Sequence, residues 1–66
     1  MDMIVNGKTV QVDNAATVSQ LLEQLGFAGK RVAVEKNGEI VPKSQHADTA
    51  IAASDKIEIV VAVGGG

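Results

Sequence analysis

Two Asn-Gly pairs, Asn6-Gly7 and Asn37-Gly38, each lie between short apolar runs. A two-residue type I′ turn needs positive φ at both central positions. Asn followed by Gly adopts it most readily, so each pair predicts a β-hairpin. Turn length fixes the register of the first hairpin: Val5 opposes Lys8, Ile4 opposes Thr9 and Met3 opposes Val10. Met3, Val5, Val10 and Val12 then share one face, the expected core face. Ile4 points the other way, beside Thr9. The second hairpin joins residues 31–36 to residues 39–41, and the sequence leaves its facing open. Pro42 has no N–H to give a ladder and ends that strand.

Between the hairpins, residues 17–25 predict a helix. Thr17 and Gln20 have the spacing of a capping box, with Ala16 and Leu21 at the staple positions. Val18, Leu21, Leu22 and Leu25 recur at i, i+3, i+4 and i+7 and make one apolar stripe. Gly26 suits the left-handed position after the helix, and Phe27 can fold back on Leu22. Residues 44–53 form a connection with one short helical turn, and Ile51 is its expected anchor in the core. A last strand covers residues 56–63. Ile57, Ile59, Val61 and Val63 take its core face and alternate with Lys56, Glu58, Val60 and Ala62.

The order is β-β-α-β-β-β in 66 residues, which leaves room for one domain. The expected fold class is α+β: one mixed sheet, the helix across one face and the apolar last strand in a central position. The expected division is a domain over residues 1–63 and a flexible tail over residues 64–66.

Composition narrows the function. The chain has no Cys and so neither a disulfide nor a thiolate metal site. A net charge of −2 and a single Phe argue against nucleic acid, which wants basic faces and aromatic platforms. The apolar run at residues 59–63 is too short to span a bilayer. No basic segment leads into an apolar one, so no membrane role and a cytoplasmic location are expected.

Catalytic constellations are not apparent. His46, the one histidine, is expected to be a solvated loop side chain. The acidic residues Asp2, Asp13, Glu23, Glu35, Glu39, Asp48, Asp55 and Glu58 fall singly and read as solvated surface. The unusual feature is Gly64-Gly65-Gly66 directly after an apolar strand. Glycine has no Cβ, so such a segment can thread a narrow channel in a partner enzyme. A carboxylate at Gly66 is a poor electrophile until activated as an acyl phosphate or adenylate. No residue of this chain is suited to bind the ATP that does so.

These features together resemble the ubiquitin-like β-grasp sulfur carriers, most closely those of thiamine biosynthesis. The matching segments are residues 17–25, 32–37, 40–43, 55–60 and 63–66. Ser54 departs from the pattern, since the family usually has Gly before Asp, so a turn that is strained or of another type is expected. The resemblance implies a carrier and not an enzyme, with no cofactor or metal of its own. An E1-like adenylyltransferase would adenylate Gly66 with ATP and Mg²⁺. Sulfur from a donor such as a cysteine desulfurase would make a thiocarboxylate, and a thiazole synthase would take the sulfur. Gly64 and Gly65 would thread into the partner sites. Ile4, Val60 and Ala62 are partner-surface candidates, on the expectation that strands 1 and 5 are neighbours. The alternatives are a molybdopterin-type carrier subunit, a ubiquitin-like modifier and a β-grasp interaction module without carrier chemistry.

Overall fold

A computed structural model describes residues 1–13 and 15–62. Strands β1 (Asp2–Val5), β2 (Lys8–Gln11), β3 (Val32–Lys36), β4 (Glu39–Val41) and β5 (Lys56–Val61) form one sheet in the order β2-β1-β5-β3-β4. Helix α1 (Val18–Gln24) and a 3-10 turn at Lys43–Gln45 complete the described elements. β5 is central, parallel to β1 and antiparallel to β3. The Cα radius of gyration is 11.1 Å, in line with the compaction of a single small domain.

Both Asn-Gly pairs form the expected turns. φ is positive at Asn6 and Gly7 (52° and 79°) and at Asn37 and Gly38 (52° and 87°). The first hairpin has the register read from the sequence. In the second, Val34 opposes Val41 and both are buried, which settles its facing.

The helix ends are made as the sequence implies. Thr17 accepts the Gln20 N–H and the Gln20 side chain reaches back to Thr17, closing the capping box. At the other end the Phe27 N–H donates to the Leu22 carbonyl at 2.8 Å and the Gly26 N–H to the Glu23 carbonyl at 3.2 Å. With Gly26 at φ 84°, this is a complete Schellman motif. The staple is not formed through Ala16, which is exposed; the neighbouring Ala15 is buried instead. A second clamp comes from Gln24, whose side chain accepts the Asp13 N–H at 2.8 Å and donates to the Asp13 carbonyl.

Val18, Leu21 and Leu22 of α1 meet Met3, Val5, Val12, Val34, Val41, Ile57 and Ile59 in one core. Val10, Leu25 and Ile51 are only partly buried against it. The opposite face of the sheet has no helix among the described elements.

Three expectations need correction. His46 is buried, at 7% exposure, and its ring Nε2 lies 3.1 Å from the Val41 carbonyl oxygen. The 3-10 turn after Pro42 turns the ring inward, so a residue in a polar stretch closes the core. Asp55 is buried too, beneath the turn at the start of β5. At Ser54 the turn takes the second of its two expected forms, without left-handed backbone, because Asn6 and Asn37 are the non-glycine residues with positive φ among those described. Val61 has the core-side alternation but stays 43% exposed. Its partner Val32 is itself only partly buried, at the margin of the core.

Candidate functional site

The site is the end of β5 from which residues 63–66 continue. Gly64, Gly65 and Gly66 lie outside the described residues, as does Val63, so the geometry concerns the platform that carries them. Three contacts fix that platform. The Asn6 N–H donates to the Ile57 carbonyl at 2.9 Å. The Asn6 carboxamide then takes both polar groups of Ile59. On the other side the Ala62 N–H donates to the Arg31 carbonyl at 2.9 Å. β5 is therefore tied to its neighbours on both sides almost to the last described residue.

The start of β5 is held by the other turn asparagine. The Asn37 side chain accepts the Lys56 N–H and donates to Asp55 Oδ1, both at 2.9 Å. Asp55 Oδ2 accepts the Ala52 N–H at 2.8 Å and faces Lys36 Nζ at 3.9 Å. The Asn37 hydrogen bond leads in holding the Asp55 carboxyl below its ordinary value. Burial opposes this, and the Ala52 N–H and the Lys36 ammonium add to it. This carboxylate is structural: its oxygens are occupied by the turn that starts the strand.

The open face of the sheet carries the expected surface candidates, in a different grouping. Ile4 and Val60 are both exposed, at 39% and 64%. They do not touch as a pair, because the parallel register sets Ile4 level with Lys56. Val60 is four residues further on, about 13 Å at strand rise. The pairing of β1 with β5 was expected only through the family resemblance, and its register was not legible. Beside Val60 across β3 stands Ala33, also exposed. Ile40, at 75% exposure, opposes Glu35 on the same face, and Ala62 is exposed beyond Val60. Ala33 and Ile40 were missed as candidates. The Asn37-Gly38 turn already implied the Glu35–Ile40 pair, but nothing local implied the pairing of Ala33 with Val60.

Two shallow depressions flank the fold. One of about 270 Å³ is lined by residues including Ser19, Glu23, Phe27, Lys30, Lys43 and His46. The other, about 380 Å³, lies over the second hairpin near Asn37, Ile40 and Gln45. Ser19 and His46 both line the first, but no hydrogen bond joins their side chains, and the His46 Nε2 is directed to the Val41 carbonyl. Among the described residues no three His, Asp or Glu side chains are grouped to hold a metal ion. No helix of the described chain is long and apolar enough to cross a membrane.

Comparison with known proteins gives a consistent result. The ThiS family profile matches residues 3–66. The sulfur carrier protein ThiS of Bacillus subtilis is 38% identical over 63 residues, covering 94% of this chain and 96% of that protein. A thiazole synthase of Paramagnetospirillum magneticum is 46% identical over all 66 residues, which make up 20% of that protein. The chain thus spans about a fifth of that relative's length, and of a second thiazole synthase from Magnetococcus marinus. The crystal structure of the thiamine biosynthesis protein ThiS from Geobacter metallireducens superposes with a TM-score of 0.83 at 36% identity, each chain covered in full. The mixed five-stranded sheet with one helix is the β-grasp arrangement of that neighbour, and this chain belongs to the ThiS family.

Proposed function

We propose that this protein is a sulfur carrier of thiamine biosynthesis, and that the chemistry takes place on the carboxylate of Gly66. The observation that carries this reading is the end-to-end likeness to the ThiS proteins of Bacillus subtilis and Geobacter metallireducens, which takes in the glycine segment. An E1-like adenylyltransferase joins the Gly66 carboxylate to the α-phosphate of ATP and releases pyrophosphate. Mg²⁺ and the phosphate-binding groups belong to that enzyme, since ATP is its substrate. The terminal sulfur of a persulfide, on a donor such as a cysteine desulfurase, displaces AMP to give an acyl disulfide; a thiol then cleaves its S–S bond, leaving the thiocarboxylate and a disulfide between the donor cysteine and that thiol. A thiazole synthase accepts that sulfur, and the carrier returns as a carboxylate. The thiazole synthases that contain a similar segment within a longer chain favour this acceptor.

On this reading the domain is a cosubstrate. Its task is to hold β5 rigidly while Gly64 and Gly65, free of Cβ atoms, enter a narrow partner site. Mass spectrometry of the C-terminal peptide tests the reading, after incubation with an E1-like enzyme, MgATP and a sulfide source. Replacement of one oxygen by sulfur at Gly66 is the expected result. An unmodified carboxylate under those conditions, with an active enzyme control, overturns it.

A further inference from the structure

Both turn asparagines precede a glycine, and both carboxamides are engaged. Asn-Gly is also a place where a chain attacks itself. The glycine nitrogen reaches the preceding carboxamide carbon with no Cβ in its way. In this fold the attack is held off, because turning the carboxamide toward that nitrogen breaks both of its hydrogen bonds. At Asn6 the two bonds run to Ile59, inside β5, and both are partly buried. At Asn37 they run to the beginning of the strand. The bond from the Lys56 N–H is exposed, and the one to Asp55 Oδ1 is partly buried. Ile59 is paired with Val34 within a ladder, whereas Lys56 is the first residue of β5. Strand ends open at a lower free energy than strand middles. The carboxamide of Asn37 is therefore the less well guarded of the two.

We propose that Asn37 is a site of spontaneous deamidation, gated by opening of the start of β5, and that its product drives Asp55 out of the turn before that strand. The Gly38 nitrogen bonds to the Asn37 carboxamide carbon. The bond from that carbon to the amide nitrogen breaks, and ammonia leaves with the proton of the Gly38 N–H. Water then opens the cyclic imide at either carbonyl. One opening gives an aspartate. The other gives an isoaspartate, whose backbone runs through the former side chain and gains a methylene. The net change exchanges NH2 for OH, and the new acid is ionised at neutral pH. Its surroundings make that change costly. Asn37 Nδ2 donates to Asp55 Oδ1 at 2.9 Å, so a carboxylate in its place loses the donor and meets a like charge. The Lys36 ammonium lies 3.9 Å from Asp55 Oδ2 and is already bound to the Ala50 carbonyl, so it offsets only part of the repulsion. The isoaspartate also lengthens a two-residue turn that sets Val34 opposite Val41. At Asn6 the same exchange faces the Ile59 carbonyl and no second carboxylate. Wear thus falls on the point where β5 begins, independently of the chemistry at Gly66.

The test is ageing of the full chain in warm, mildly alkaline buffer, followed by peptide mass spectrometry and isoaspartate methyltransferase labelling. Residue 37 is expected to exchange NH2 for OH about 5-fold faster than residue 6 in the folded chain. In urea both should convert faster, and at similar rates. Asn37→Asp, the product with an ordinary backbone, is expected to lower the melting temperature by about 4–8 °C. Adding Asp55→Asn should recover part of that loss. The amide placed at position 55 then donates to the carboxylate at position 37, while its oxygen still accepts the Ala52 N–H. The gating is overturned if residue 6 converts as fast as residue 37 in the folded chain, or if folding does not slow conversion at residue 37. The site itself is overturned if residue 37 stays intact in the folded chain while the unfolded chain converts. The role given to Asp55 is overturned if Asn37→Asp melts with the wild type, or if the double variant is no more stable than Asn37→Asp.

Discussion

The carboxamide of Asn6 satisfies both backbone polar groups of Ile59: Oδ1 accepts its N–H at 2.7 Å and Nδ2 donates to its carbonyl at 3.1 Å. β1 has ended at Val5, so this side chain acts as one further residue of a neighbouring strand. A residue chosen for its turn also extends the sheet. Asn6→Gly keeps the positive φ and removes the clamp, leaving two part-buried backbone groups without that partner. We expect a loss of about 1–3 kcal/mol in urea denaturation. A loss within experimental error would show that the clamp contributes nothing to β5.

Asp55 links stability to pH. Its folded pKa lies below the 3.8 of the unconstrained side chain. A depressed carboxylate pKa contributes stability that is fully present above the unfolded value and is lost as pH falls through the folded one. Stability measured from neutral pH downward should therefore fall in the acid range below about 4. Asp55→Asn should be less stable than the wild type at neutral pH and should show a smaller drop on acidification.

His46 closes the core over Val41. Replacing it with Ala leaves the Val41 carbonyl without the ring N–H and opens space beside Ser19 and Leu22. The expected cost is about 1–3 kcal/mol, read as a lower urea midpoint. His46→Gln can offer an N–H from its amide and should recover part of it. An alanine variant as stable as the wild type would return His46 to the status of a surface residue.

Gly26 ends the helix at φ 84°, with open space where a Cβ would stand. The cost of Gly26→Ala is therefore conformational and not steric, about 1 kcal/mol. Gly26→Asn, which tolerates the left-handed region, should cost less. Thermal unfolding of the two variants separates them.

The hairpins, the helix and the central place of β5 were legible because each has a local signal. Asn-Gly needs positive φ, Thr17 and Gln20 cap, and Gly26 stops the helix. Long-range pairing has no such signal. The level of Ile4 against Lys56, and of Ala33 against Val60, depends on how two hairpins separated by a helix dock on β5. His46 and Asp55 were misread for the same reason. Their immediate neighbours in sequence are mostly polar, and burial comes from outside that stretch, with Val41 beyond Pro42 for His46 and Asn37 for Asp55. Asn6 and Asn37 were read as turn residues only, since nothing near them in the chain shows that their side chains reach β5.

β5 is the one neighbour shared by the two hairpins, and it is the last of the five described strands to be made. A nascent chain that stops short of Lys56 holds two hairpins with nothing between them and a helix without its main floor. Such a product cannot close its core and remains open to proteolysis. Folding thus acts as an inspection of synthesis: the domain becomes durable only after the ribosome has passed the strand that leads into the glycines. Copies cut short before that point stay open to degradation as unfolded chains.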